Sequence, residues 1–370
     1  MNSNEPECLL EARSPNGNVL AVAEQDANTC YFYLHAERAA HFGMKSCWVR
    51  NLSPAPDKLD ASAMKKGLPP MLPREFCRHP AGAAPMKSSD LSVVWAEEGD
   101  AAALRENEQF VAIIPSWSGM EGFNGYARDC LGNSPLCWEL GGPETNAQFA
   151  RYEKAAQCWN DWKDNKTLWP DFQVRMMEAI ERQVGKHSKY YAIDGNGWPP
   201  KALLRIQQND STLLVTIGMS LQPQPMVELR HEDAAPHRRI ELGISLDASL
   251  PDSVITQIAS YVGGQTGYPW SAFTFLGEGH TIPADAFKDV SEANFPFGLL
   301  QRRPVSEARI DLPAFREDPV NCLWLTPISE RERKFAQKKG SIYLEQKLHE
   351  NGFDWRHRFK REEVVGRFLW

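Results

Sequence analysis

Short runs of apolar residues separated by turn-forming ones open the chain, the pattern of successive strands. CLLEAR (8–13), NVLAVAEQ (18–25), TCYFYLH (29–35) and KSCWVRNL (45–52) predict a β-meander, with PNG and DAN as the first two turns. From 53 to 87 the chain is rich in Pro, Ala, Lys and Met without periodicity, which predicts a long loop. LSVVWAEE (91–98) and EQFVAIIP (108–115) predict further strands joined across Gly99-Asp100. Glu97, Glu98 and Asp100 then read as an exposed hairpin turn.

The period next changes to that of helices. TNAQFARYEKAAQCWNDWKD (145–164) carries Phe149, Tyr152, Ala156, Trp159 and Trp162 at spacings of three or four, an amphipathic stripe. PDFQVRMMEAIERQVGK (170–186) opens on Pro170 and reaches Gly185, a second helix. These helices and DGNGWPP (194–200) mark the passage between two expected domains, 1–184 and 185–370. In the second, LLVTIGMS (213–220) is an apolar strand, and RRIELGISLD (238–247) turns Ile240, Leu242, Ile244 and Leu246 inward. PDSVITQIASYVG (251–263) places Val254, Ile258 and Val262 on one helical face. VNCLWLTP (320–327) is a buried strand running into SERERKFAQKK, where Ser329 and Glu332 form an S-x-x-E capping box. IYLEQKLHEN then makes a last helix. Strands and helices grouped in this way predict an α+β fold with mixed or antiparallel sheets.

Composition narrows the function. A chain of 370 residues exceeds a single hydrophobic core, and 42% hydrophobic with 24% charged residues is ordinary for a globular protein. A net charge of −7 argues against general nucleic-acid binding. The N-terminus has no basic region followed by an apolar one, and no uninterrupted apolar run spans a bilayer. A cytoplasmic location without membrane contact is expected. The eight cysteines include no CxxC pair and read as reduced, mostly buried thiols.

Special residues are densest in IIPSWSGMEGFNGYARDCLGNSPLCWEL (113–140). Catalysis there needs partners that the motifs do not supply. Ser118 lacks the flanking glycines of a nucleophile elbow, since Ser116 and Met120 stand in their places. Cys130 would need a base such as His280 brought to it by folding. His231 and His237 are six apart with Pro236 between them, not the HExxH spacing of a zinc helix, so the segment reads as a solvated loop. GNG, GEG and GGQTG are not phosphate loops, and GEGHTI (277–282) reads as a turn needing positive φ. No cofactor or metal is expected. In WRHRFKREEVVGRFLW (355–370) the charges read as solvated, with Phe359, Val364, Val365 and Phe368 packed inward. The 113–140 segment instead reads as an ordered loop with a recognition face. Its partner-binding candidates are Trp117, Phe123, Tyr126, Arg128, Asp129 and Trp138, joined by Glu278 and His280 of the GEGHTI turn.

Taken in order, LLVTIGMS, RRIELGISLD, PDSVITQIASYVGGQTGYPW, GEGHTI, FPFGLL (295–300) and VNCLWLTPISERERKFAQKKG resemble the suppressor of fused domain over roughly residues 185–350. The first half, with VVWAEEGD and IIPSWSGMEGFNGYARDC, is similar to the region preceding this domain in bacterial members. The resemblance implies a binding protein rather than a catalyst. The animal relative sequesters zinc-finger transcription factors by clamping a short extended peptide between two domains, partly by β-addition. Bacterial relatives are proposed immunity proteins that neutralise toxins. The extra region here precedes the domain, so no peptide-contact residue is carried over. A protein partner is expected, with a basic toxin domain as one candidate suited to the acidic chain. Two alternatives stay open: an enzyme using Cys130 and His280, and a carbohydrate-binding module using a row of exposed tryptophans.

Overall fold

A computed structural model describes residues 6–36, 39–287, 295–302, 310–356 and 361–366. The chain splits into two compact units, 1–166 with 270–273 and 167–269 with 274–370. The fold is α+β, with mixed and antiparallel sheets.

In the first unit, β1 (Glu7–Arg13), β2 (Leu20–Gln25), β3 (Thr29–His35) and β4 (Met44–Asn51) form an antiparallel sheet in chain order. One short helix, α1 (Ala61–Lys65), interrupts the expected long loop. A second sheet takes the order β5 (Leu91–Trp95), β6 (Ala102–Glu106), β7 (Gln109–Ile114), β8 (Tyr126–Ala127), β9 (Trp138–Glu139). Phe32, Leu34 and Trp48 of the first sheet share one core with Ala102, Leu104, Ala112 and Ile114 of the second. The other face of the second sheet, through Ala101, Ala103 and Ile113, packs under Tyr152 and Ala155 of α2 (Gln148–Asp164).

This layering corrects two readings. β6 had no place in the pattern, because Ala102, Ala103 and Leu104 are buried on both faces and do not alternate with polar residues. The Glu97–Asp100 turn is not an exposed hairpin. Glu98 and Asp100 are buried, with Arg151 of α2 paired to Glu98 at 3.2 Å. Among the described residues neither oxygen of Asp100 bonds another residue, and burial pushes its carboxyl up to about 6.

In the second unit, α3 (Leu168–Val184) precedes a sheet ordered β10 (His187–Ala192), β11 (Ala202–Gln207), β12 (Ser211–Ile217), β13 (Arg239–Asp247), β16 (Val320–Ile328), β15 (Phe297–Gln301), β14 (Thr281–Pro283). Only the β13–β16 pair in it is parallel. β10 and β11 flank DGNGWPP, so that segment connects two strands inside this unit. Between β12 and β14 come α4 (Ala235–Arg238), α5 (Asp252–Gln265) and α6 (Tyr268–Ser271), and α7 (Glu330–Lys339) and α8 (Ser341–Glu350) follow β16. α5 lies on β11, β12 and β13 through Ile255, Ile258, Ala259 and Val262, with Val254 at the margin. The Ser329–Glu332 capping box forms in both directions. The inward residues of β13 are buried as expected, and so are Arg239 and Glu241 at the alternate positions. In the C-terminal stretch Val365 is buried and Val364 half-buried, while Phe359 and Phe368 lie outside the described residues.

Candidate functional site

The 113–140 loop owes its course to charges beneath it. Arg50, at the end of β4, points its guanidinium into the unit with a side-chain exposure of 7%. Its two terminal nitrogens grip both oxygens of Glu106 at 3.1 and 2.6 Å, and its Nε lies 3.3 Å from Asp129. Arg128 closes the circuit, donating to Glu106 and to Asp129 at 3.2 Å each. The Arg128–Asp129 contact is thus one side of a ring of two guanidiniums and two carboxylates. His79 stands 3.8 Å from Asp129. Such a ring balances the cost of burying charge with multiple short contacts and fixes geometry.

Above the ring, Phe123 is buried and takes edge-to-face contacts from Tyr126 at 5.0 Å and Trp138 at 4.8 Å. Trp117 and Tyr126 are half-buried, and Ser118 donates to the Asn124 carbonyl. Gly125 is essential to the approach, since a Cβ there would stand 2.7 Å from the Ile113 carbonyl. Trp138 keeps 38% of its surface exposed, beside exposed Met120 and Leu131 on the same loop. It is the only tryptophan exposed to that degree among the described residues, so no flat row of indoles exists there for a sugar.

Cys130 is buried, and its sulfur neighbours the Cys137 carbonyl at 3.4 Å and the Ser134 hydroxyl at 4.0 Å. A hydrogen bond from Cys137 draws the Cys130 thiol down, whereas burial pushes Cys137 well up. No imidazole or carboxylate bonds to Cys130 among the described residues. Cys130 and His280 belong to different units, and each finds its partners within its own. Seven of the eight cysteines are buried and all eight are free.

Glu278 and His280 belong to a second cluster. The GEGHTI turn holds Gly279 at a φ of +81°, and a Cβ there would stand 2.3 Å from the Ser341 hydroxyl. His280 Nδ1 accepts the Gly277 amide at 3.2 Å, and its ring lies 5.0 Å from Phe275. Phe275 in turn touches His231, which stacks on His237 at 3.8 Å. His231 and His237 are therefore half-buried, while Glu232 and Asp233 between them are exposed as a solvated loop requires. Pro236 sits in the first turn of α4, where a proline is tolerated, and the stack shields both rings. Arg302 bonds His237 Nδ1 at 3.1 Å and lies 3.7 Å from Glu278. Among the described residues no group of three metal-ligating side chains is placed to hold an ion.

Burial lowers the pKa of His280, as it does that of His237, where His231 and Arg302 add to the effect. A histidine held below its usual 6.5 is neutral in the fold and protonates first in the unfolded chain. Stability from this turn therefore falls as pH drops below about 6.5. Acidification from about pH 7 to about pH 5 is expected to speed amide exchange at Gly277, because protonated Nδ1 cannot accept its N–H. Site-resolved hydrogen exchange measures this, and an exchange rate indifferent to pH after correction for intrinsic rates would refute it.

Arg50 and Glu106 escaped the sequence reading. The signal for Arg50 was an arginine two residues after Trp48 in the CWVRN end of β4, whereas Glu106 lay in the unrecognised β6.

Comparison with known proteins adds what geometry alone does not. The sequence profile of the suppressor of fused protein (SUFU) family matches residues 197–362. A suppressor of fused homologue from Neisseria gonorrhoeae FA 1090 is similar in structure at 17% identity and a TM-score of 0.38, over 54% of this chain and 99% of that one. The Sufu–Fu complex structure is similar at 13% identity and a TM-score of 0.38, over 52% of this chain and 91% of that one. No curated protein matches in sequence. Among the described residues no helix is long and apolar enough to cross a membrane. Residues 197–362 of this chain match the suppressor of fused domain.

Proposed function

We propose that the chain binds another protein and that the 117–138 loop is part of the surface it uses. The observation that carries this reading is Trp138, an exposed indole seated edge-on against buried Phe123, on a loop anchored by the Arg50–Glu106–Arg128–Asp129 ring. Aromatic residues held rigidly lose little entropy on binding and carry much of the energy of protein interfaces. Exposed Met120 and Leu131 extend the apolar surface of this loop. The suppressor of fused domain supports a binding role over a catalytic one.

The test is affinity capture with the full chain, compared with Trp138→Ala. The substitution is expected to weaken retention of a stoichiometric partner at least about tenfold, the effect of a moderate interface hot spot, while leaving the circular dichroism unchanged. A partner retained equally by both forms would refute the loop as the recognition surface. A finer reading makes the chain an immunity factor for a basic toxin domain, supported by its net charge of −7. Its test is protection: co-expression with such a domain would restore growth, and failure against every bound toxin candidate would dismiss it. The cluster at Glu278 and His280 is proposed as a second contact region.

A further inference from the structure

A sheet with one face in the core normally turns polar residues outward on the other. The first sheet departs from this rule. Register pairs Val22 with Tyr33 and Glu24 with Tyr31, so all four share the face opposite Ala21, Ala23, Phe32 and Leu34, and on that face Tyr31 is buried while Tyr33 is half-buried. The 67–70 segment folds over this outer face, and Tyr31 donates to the Pro70 carbonyl at 2.6 Å. Between segment and sheet lies a cavity of about 430 Å³, within the range of about 300–1,000 Å³ typical of ligand sites.

The lining is organised by charge. Tyr31 and Tyr33 stack at 5.8 Å along its floor, and Pro69, Leu68 and Met44 form apolar walls. Met44 and Leu68 are largely exposed, surface that a monomer usually buries or uses. Glu24 and Asp26 stand at one end, and among the described residues no lysine or arginine lines the cavity. Glu24 is half-buried and makes no hydrogen bond or ion pair among the described residues. Asp26 commits one oxygen, Oδ1, to the amides of Asn28 and Thr29. The site thus has unspent negative charge at one end and aromatic faces along its length.

We propose that this cavity is a binding site for an extended peptide segment of a partner, with an arginine at the Glu24–Asp26 end and apolar residues over Tyr33 and Met44. The guanidinium fits because it stacks on a tyrosine ring while pairing with a carboxylate. A peptide fits the shape. Tyr31, Tyr33 and His35 alternate along about 13 Å of strand, the length of about four extended residues. This site goes beyond the Trp138 loop and does not depend on it.

The experiment follows the methyl resonances of the full chain labelled at methionine, with Met44 assigned through Met44→Leu. Three probes are titrated: a capped proline-arginine-proline-leucine-proline peptide, the same peptide with neutral citrulline, and arginine amide alone. The arginine peptide is expected to shift Met44 saturably and to leave the buried Met176 unmoved. Glu24→Gln is expected to weaken this binding about tenfold, and Tyr33→Leu to weaken it with the fold intact. An unmoved Met44, equal binding of the citrulline peptide, or no effect of Glu24→Gln would overturn the proposal. Arginine amide binding as tightly as the peptide would overturn the peptide assignment in favour of a small organic cation. Loss of this site with retained Trp138-dependent capture would leave the loop reading standing, and the reverse result would leave only the cavity.

Discussion

Replacing Glu241 with alanine is expected to destabilise the second unit by about 4 kcal/mol, the largest effect of any single change considered for that unit. Glu241 is fully buried in β13, yet its carboxylate accepts four hydrogen bonds. Gly218 and Ser220 offer backbone N–H groups at 2.9 and 3.0 Å, and the Ser220 and Thr216 hydroxyls each approach to 2.6 Å. Burial pushes its pKa up while these bonds pull it down. Two residues earlier on the same face, Arg239 donates to the carbonyls of Ser220 and Leu221 and pairs with Asp318 at 3.0 Å. The 218–221 turn is thus held at its N–H groups by one side chain and at its carbonyls by another. Gly218 needs its φ of +101°, and a Cβ there would stand 2.2 Å from the Pro200 carbonyl. Alanine at 241 would orphan two buried amides, each costing about 1–3 kcal/mol, and open a cavity. Urea denaturation followed by exchange at Gly218 and Ser220 checks this. A change under about 1 kcal/mol would mean water replaces the carboxylate.

In the first unit, Arg50→Met is expected to cost about 3–5 kcal/mol, because it leaves Glu106 and Asp129 facing each other with one exposed-side counterion. The companion Arg128→Met is expected to cost about 1 kcal/mol or less. Arg128 touches the same two carboxylates, but its side chain is 33% exposed, and water screens what it contributes. The contrast is the test. Equal losses in thermal or urea unfolding would mean that burial does not rank the two arginines. Arg50→Met is also expected to blunt partner capture through Trp138, since the loop would lose its anchor while keeping its aromatics.

Much of the fold was legible along the chain. The meander of the first four strands, α2, α3, α5 and the Ser329–Glu332 cap each rest on interactions between near neighbours in sequence, which periodicity and capping chemistry report directly. β6 and β11 were not legible. β6 is alanine-rich and covered on both faces, and β11 is buried at all but its last residue, so neither shows the alternation of a half-buried strand. Arg128 and Asp129 could be read only as charged members of the aromatic loop. Their partners Arg50 and Glu106 lie 78 and 22 residues from Arg128, beyond any local rule.

The sequence by itself determined the alternation that makes Tyr31 and Tyr33 share one face, the caps, and the turns where only glycine fits. It also carried the ordered set of stretches resembling the suppressor of fused domain. Only the tertiary structure decided that His231 stacks on His237, that Glu241 is a buried anchor rather than a solvated charge, and that the 67–70 segment roofs the tyrosine face. The reason is physical: backbone periodicity is set by neighbours within a turn or two. The pairing and burial of a charge depend on which distant segments exclude water from it.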